Sequence, residues 1–203
     1  MDHSLAIPQR LVASHCGHAG GSQTSLVGVR STRAAEHAAL SDEQTVTVAL
    51  AGQPNVGKTT VFNMLTGLNQ HVGNWPGKTI ERKIGLYRHD GLNMRLVDLP
   101  GTYSLTANSP EEQVARDFII QERPEVVVAI VNAATLERSL YLVAELLWLP
   151  TRVVLGLNMV DVAEREGIRV EPHVLEAALG LPVVPIVASR NQGIRELIQT
   201  VAD

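Results

Sequence analysis

The sequence predicts an α/β fold built on a mostly parallel six-stranded sheet flanked by about five helices. Three observations predict it. From Thr45 onward, apolar runs bounded by Gly, Pro and Asn alternate with helical patterns, as a chain of βαβ units requires. A strand, a glycine-bearing loop and a helix follow one another between Thr45 and Thr66. The chain has 203 residues, 45% of them hydrophobic, enough for one domain with a full core.

The first strand spans Thr45–Ala51, and its all-apolar end implies burial on both faces. The helix Lys58–Thr66 follows, then a loop over 67–79. Two strands, Ile80–Arg88 and Asn93–Asp98, meet at the hairpin dipeptide Asp90-Gly91. Ser109-Pro110-Glu111-Glu112 reads as an N-cap, a proline at the first helical position and a capping glutamate, so a helix runs to about Gln121. Val126–Val131 is a central strand, and Leu136–Leu149 is a helix closed by Pro150. Strand Val153–Leu157, helix Pro172–Leu179 ending at Gly180, strand Val183–Val187 and helix Ile194–Val201 complete the series. Met64 and Trp148 read as core or helix-face residues, and His71, His89 and His173 as isolated surface or loop positions.

Residues 1–44 differ in texture. They are rich in Ser, Gly, Ala and Gln, carry four of the seven histidines (His3, His15, His18, His37) and show no sustained apolar period. A disordered or appended tail is expected, with one short helix over Thr32–Leu40. His15-Cys16-Gly17-His18 offers three metal-binding side chains, but one such cluster cannot close a tetrahedral site. The domain proper is expected over residues 45–203.

Charge and composition exclude several classes. A net charge of −4 argues against a nucleic-acid-coating surface, and the lone Cys16 against a disulfide or Cys-rich zinc scaffold. No apolar run approaches the roughly 20 residues that cross a bilayer, and the N-terminus has no signal-peptide core.

The chemistry-bearing motif is Gly52-Gln53-Pro54-Asn55-Val56-Gly57-Lys58-Thr59, set between strand and helix as a phosphate loop requires. Glycines let successive backbone N–H groups face a β-phosphate, and Lys58 supplies a mobile point charge. The Thr59 hydroxyl can reach Mg²⁺, and Thr60 completes the nucleotide-binding segment. The plain alternative is a Gly-rich turn capping an ordinary helix.

Two further strand ends point to guanine. In Asn158-Met159-Val160-Asp161 a carboxylate can accept from two guanine nitrogens, a pairing adenine cannot offer. Val187-Ala188-Ser189 can present a backbone N–H to the guanine carbonyl. Between the phosphate loop and these segments stands Asp98-Leu99-Pro100-Gly101. Asp98 can hold a water of the Mg²⁺ shell, and Gly101 can offer its N–H to a γ-phosphate. Lys58→Ala and Thr59→Ala are expected to abolish Mg²⁺-dependent hydrolysis and to leave the fold intact.

The segment Gly73-Asn74-Trp75-Pro76-Gly77-Lys78-Thr79, set beside Gly52–Thr60, Asp98–Leu105 and Asn158–Asp161, resembles the G domain of the ferrous iron transporter B (FeoB) family. The resemblance covers about Thr45–Asp203. It implies a Ras-like phosphate-loop GTPase fold that binds GTP or GDP with Mg²⁺ on the cytoplasmic face of a bacterial inner membrane. It implies that Thr79 closes over Mg²⁺ and γ-phosphate, with Gly77 and Lys78 beside the nucleotide. It further implies K⁺ held by Asn55 and by the first-switch residues Asn74 and Trp75, acting in place of an arginine finger. Thr102 stands where many Ras-like proteins place a water-orienting Gln, so Asn55, Lys58, Thr79 and Gly101 form the catalytic set.

Three positions depart from the family pattern: Gln53, where Asn is usual, Val56, where a small residue is usual, and Lys78, where an apolar residue is usual. Family members continue into helical and membrane domains, so the chain is expected to be a fragment that signals to the rest of the same transporter. Self-association into a homo-oligomer stays open. A nucleotide-sensing module with negligible turnover and an RNA- or ribosome-associated GTPase are the competing readings, and no basic domain supports the latter.

Overall fold

The computed structural model describes residues 45–203. The expected tail, its short helix and the His15–His18 cluster lie outside these residues.

Thirteen regular elements follow in order: β1 (Thr45–Gly52), α1 (Lys58–Thr66), β2 (Gln70–Asn74), β3 (Glu81–His89), β4 (Leu92–Asp98), α2 (Pro110–Glu122), β5 (Val126–Asn132), α3 (Leu136–Leu147), β6 (Arg152–Asn158), α4 (Val160–Arg165), α5 (Pro172–Leu179), β7 (Val183–Pro185) and α6 (Ile194–Ala202). One sheet runs β2-β3-β4-β1-β5-β6-β7. Pairings from β4 through β7 are parallel, and β2-β3 and β3-β4 are antiparallel.

Alternation along the central strands builds two cores. Ala49, Ala51, Val127, Ala129 and Val131 face the cluster that holds Val114 and Phe118 of α2 and Leu142 and Leu146 of α3. Val48, Leu50, Val128 and Ile130 face the cluster that holds Val61 and Phe62 of α1 and Leu197 and Ile198 of α6. A strand covered on both faces must be apolar throughout, which is why these segments read as unbroken hydrophobic runs.

The described residues hold seven strands and six helices where six and about five are expected. The extra strand, β2, falls within the expected loop over 67–79. Its sequence, Gln-His-Val-Gly-Asn, has no apolar alternation and is largely exposed. It exists by pairing with β3, from Gln70 opposite Gly85 to Asn74 opposite Glu81. The extra helix, α4, starts directly after Met159, where no helix is expected, and has six residues. Helix α3 stops at Leu147, two residues short of the expected end. Trp148, its C-cap, is 89% exposed, so it is not a core residue. Strand β7 ends at Pro185, and the chain turns into a 3₁₀ segment over Ala188–Arg190.

Local signals hold where expected. Asp90 and Gly91 both take positive φ, 46° and 86°, as a two-residue hairpin turn demands. Ser109 Oγ accepts from the Glu112 N–H at 3.1 Å, and Pro110 is the first residue of α2. Ser109→Ala should therefore lower stability by about 1 kcal/mol in a urea melt. No helix among the described residues is long and apolar enough to cross a membrane.

Candidate functional site

The carboxyl ends of β1, β4, β6 and β7 bring the predicted segments together, as open parallel sheets do with their ligands. Gly57 sits at the N-cap of α1 with φ 88°, and a Cβ there would lie 2.2 Å from Asn158 Nδ2. Only glycine satisfies both the dihedral and the approach. That amide nitrogen donates to the Val56 carbonyl at 2.8 Å, and Asn158 Oδ1 accepts from the Ala188 N–H at 3.0 Å. Buried Asn158 thus stitches the phosphate loop to the Val187–Ser189 segment. Its amide is spent on the frame, and so is the Ala188 N–H. Of this last segment, Val187 and Ala188 are buried and Ser189 is exposed.

Lys58 and Asp98, 8% and 7% exposed, form an ion pair between the Lys58 ammonium and Asp98 Oδ1. Thr59 Oγ1 donates to Asp98 Oδ2 at 3.1 Å. The segment after Asp98 lies on the loop: the Thr102 N–H bonds the Gly52 carbonyl at 3.1 Å, and a Cβ on Gly101 would meet Pro54 N at 3.0 Å. The hydroxyl of Thr59 and carboxylate of Asp98 are hard oxygen donors, a set that fits Mg²⁺.

Asn55 takes the left-handed conformation, φ 65°, and is exposed, as are Pro54 and Thr60. Two departures from the family pattern find structural roles. Val56 packs in the α1/α6 core, and the Gln53 amide donates to the Arg138 carbonyl in the first turn of α3.

The segment expected to be a first switch forms the tip of the β2-β3 hairpin. The Trp75 N–H bonds the Ile80 carbonyl at 2.9 Å, and the Trp75 carbonyl accepts the Lys78 N–H at 3.0 Å. The Trp75 ring is buried edge-on against Phe118 of α2, centroids 5.5 Å apart, with the Arg82 guanidinium over it at 5.5 Å. Lys78 Nζ donates to Gln113 Oε1 at 3.1 Å, so the third departure ties the hairpin to α2. Asn74, Gly77 and Thr79 are exposed, and no hydrogen bond joins them to the phosphate loop.

Asp161 stands in the first turn of α4, its side chain 20% exposed. Asp161 Oδ2 lies 3.4 Å from Arg165, an i,i+4 pair readable from the spacing, and 3.5 Å from Arg190, a contact with no signal in the sequence. Two glutamates hold the segment after Gly101: Glu112, which the sequence marks as a capping residue, and Glu145, which no motif marks. Glu112 Oε1 accepts from Ser104 Oγ at 3.1 Å and its Oε2 from the Asn108 N–H at 3.0 Å. Glu145 of α3 accepts the Leu105 N–H at 2.6 Å. A cavity of about 550 Å³ beside α4, lined by Val160, Glu164, Gly167 and Arg169 among others, contains none of the predicted residues.

A lysine and a threonine at a helix start converge on a buried strand-end aspartate, and a second aspartate stands three strands away, just after β6. With this sheet order, that arrangement defines a G domain of the Ras-like phosphate-loop class. Comparison with known proteins narrows it. Residues 46–201 match the family model for ferrous iron transport protein B. The chain is 47% identical over 156 residues to the Fe(2+) transporter FeoB of Shigella flexneri and to that of Escherichia coli K12, covering 75% of this chain and 20% of each relative. It superposes on the G domain of T. maritima FeoB with a TM-score of 0.74 at 40% identity, covering 78% of this chain and 98% of that one. The cytosolic domain of L. pneumophila FeoB gives 0.75 at 42% identity, covering 77% and 69%. The chain belongs to the ferrous iron transport protein B family, as a G domain. It spans about a fifth of the length of the curated relatives it matches.

Proposed function

We propose that this chain binds GTP and GDP and hydrolyses GTP slowly, as the regulatory domain of a ferrous iron transport protein on the cytoplasmic side of a bacterial inner membrane. The observation that carries the proposal is the convergence of Lys58 and Thr59 on buried Asp98. Asp98 is paired with Lys58, a lysine that phosphate could neutralise in its place. With nucleotide, Lys58 turns to the β- and γ-phosphates, and Thr59 and Asp98 are left to hold Mg²⁺, whose charge offsets that of the phosphate oxygens. The Gly101 N–H faces the γ-phosphate, and Thr79 joins when the hairpin tip folds over. Asp161 accepts from the guanine ring, and Asn158 keeps that contact in register with the phosphate loop. GDP-bound forms of the T. maritima FeoB cytosolic domain support the nucleotide class. The helical and membrane portions of a longer transporter would receive the switch signal.

Thr102 is buried and engaged through its N–H, so no amide orients the attacking water from that position. Asn55 can offer its amide oxygen beside the phosphates, with carbonyls of Asn74 and Trp75 arriving from the hairpin. K⁺ held there would supply positive charge against the negative charge that develops on the phosphate oxygens in the transition state. Turnover in K⁺ should exceed that in Na⁺ by at least about tenfold, and Asn55→Ala should abolish the difference while leaving GDP affinity within about twofold. The assay is phosphate release in each salt, with and without Mg²⁺. Equal rates in K⁺ and Na⁺ defeat the cation mechanism. The hairpin position of Thr79 and Asn74 favours the second reading, a nucleotide sensor with negligible turnover, and that reading leads if K⁺ has no effect.

A further inference from the structure

We infer that the outer edge of β2 is a self-association surface, to which a second copy of this chain adds its own β2, antiparallel and in register about Val72. Neither the surface nor its test depends on nucleotide binding.

The sheet has two edges, β2 and β7, and they are built differently. Strand β7 has three residues, follows Pro182 and ends in Pro185, so it is short and poor in N–H groups that another strand could use. Strand β2 carries none of these guards. Its five residues, Gln-His-Val-Gly-Asn, include no Lys, Arg, Asp, Glu or Pro, and they pair one to one with β3 without a bulge. Val72 at its centre is 50% exposed, and Leu68, just before the strand, is fully exposed. An exposed edge without charge, proline or bulge is a template for a further strand.

The bonding of β2 to β3 fixes which of its backbone groups point outward. The Trp75 N–H bonds the Ile80 carbonyl at 2.9 Å, and the Leu86 N–H bonds the Asn69 carbonyl at 3.2 Å, so hydrogen-bonded pairs flank the register at both ends. Such pairs alternate in an antiparallel ladder, which makes His71–Ile84 and Gly73–Arg82 the bonded pairs between them. Gln70, Val72 and Asn74 therefore turn their N–H and C=O groups away from β3. Among the described residues, no strand lies beyond them.

Those three positions complement themselves. With two copies antiparallel about Val72, Val72 faces Val72 of the second copy and Gln70 faces its Asn74. Each of these pairs exchanges both N–H···O bonds, so no outward group of either β2 is left over. The side chains match as well. Val72 meets its twin in an apolar cross-strand pair, and the amides of Gln70 and Asn74 donate and accept across the strands. His71 falls opposite Gly73, which has no side chain to oppose it. A slip of two residues would set Val72 against an amide and strip one outward position of its partner, which selects the central register. Leu68 lies on the side where the other copy's hairpin tip arrives. The pairing is isologous and closed, and its short span makes it weak.

Sedimentation velocity of the full chain should show monomer at about 10 µM and a monomer–dimer equilibrium at about 0.5 mM, the range of a small transient interface. At the higher concentration amide exchange at Val72 should slow at least about fivefold, while His71, already bonded to β3, stays unchanged. Val72→Pro removes an outward N–H, leaves the β2-β3 bonds in place and should abolish association. Val72→Glu sets a carboxylate beside Lys83 of its own chain but opposite its twin, so it should weaken association at least about tenfold, and about 0.5 M NaCl should restore part of the loss. If the proline variant misfolds, the glutamate variant carries the measurement. Disulfide formation with copper–phenanthroline as oxidant, in a Cys16→Ser background, reads the register. Val72→Cys should link two copies, its Cα atoms lying about 5.5 Å apart, and Gln70→Cys should not, its Cα atoms lying about 14 Å apart along the strands. A chain that stays monomeric at about 0.5 mM, association that survives both Val72 variants, or linkage at Gln70 and not at Val72 overturns the pairing. Protection of the Val72 N–H that does not change with concentration means that the chain covers its own edge, and overturns it as well.

Discussion

Asp161→Asn should weaken GDP binding by about two orders of magnitude while leaving the weak binding of ADP unchanged. A carboxylate offers acceptors only, and guanine presents two donors, the ring N–H and the exocyclic amino group. Asparagine keeps the shape but replaces one acceptor with a donor, so one contact is kept and the other becomes donor against donor. The surroundings make the substitution a clean one. Arg165 and Arg190 lie on a single oxygen of Asp161, and their side chains are 70% and 60% exposed. Solvent screens such pairs, so their loss should cost less than about 1 kcal/mol of stability. The same chemistry predicts a gain for a base that carries a carbonyl in place of the exocyclic amine, and xanthosine diphosphate should bind the variant better than the parent chain. Titration with fluorescent GDP, ADP and xanthosine diphosphate measures all three, and comparable GDP and ADP affinities for the unmodified chain would sink the guanine assignment.

What the sequence made legible was what residues dictate locally or by strand-end position. The phosphate loop is recognisable because its glycines and its Lys-Thr pair serve backbone geometry and charge at fixed spacing. The Ser109 cap and the Asp90-Gly91 turn were legible for the same reason. Strand β2 was not, because Gln70–Asn74 gain their conformation from pairing with β3 and carry no apolar period of their own. Helix α4 is too short to show a period, and the positive φ of Met159 that launches it leaves no sequence mark. Within the site, residue types were foreseen but partners were not. Asn158 belongs to the strand-end segment that points to guanine, and the partners of its amide, in two loops, could not be read from it. Val56 stands where the family usually has a small residue, and its side chain fills core volume. Glu145 lies on a helix with no motif, and only tertiary placement gives it the Leu105 N–H. Contacts between residues forty or a hundred positions apart are properties of packing, which one sequence does not spell out.

The same limit changes what Lys58→Ala should do. A side chain that serves only phosphate and metal could be removed without cost to the fold, as the sequence suggests. The structure pairs it with Asp98, and both are more than nine-tenths buried. Truncating the lysine leaves a buried carboxylate with the Thr59 hydroxyl as its remaining side-chain partner. An uncompensated buried charge of this kind should lower stability by about 3 kcal/mol, or about 6–12 °C in Tm for a domain of this size. GTP hydrolysis should vanish as well, but that loss alone does not separate a missing phosphate ligand from a disturbed loop. A double-mutant cycle does. Asp98→Asn removes the charge that Lys58 neutralises, so in the Lys58→Ala background it should restore most of the lost stability without restoring hydrolysis. Thr59→Ala, which removes a single neutral donor, should cost about 1 kcal/mol. Melts of the four cycle members without nucleotide provide the check. If Lys58→Ala melted at the parent temperature, the Lys58–Asp98 pair would not be what keeps the phosphate loop in shape.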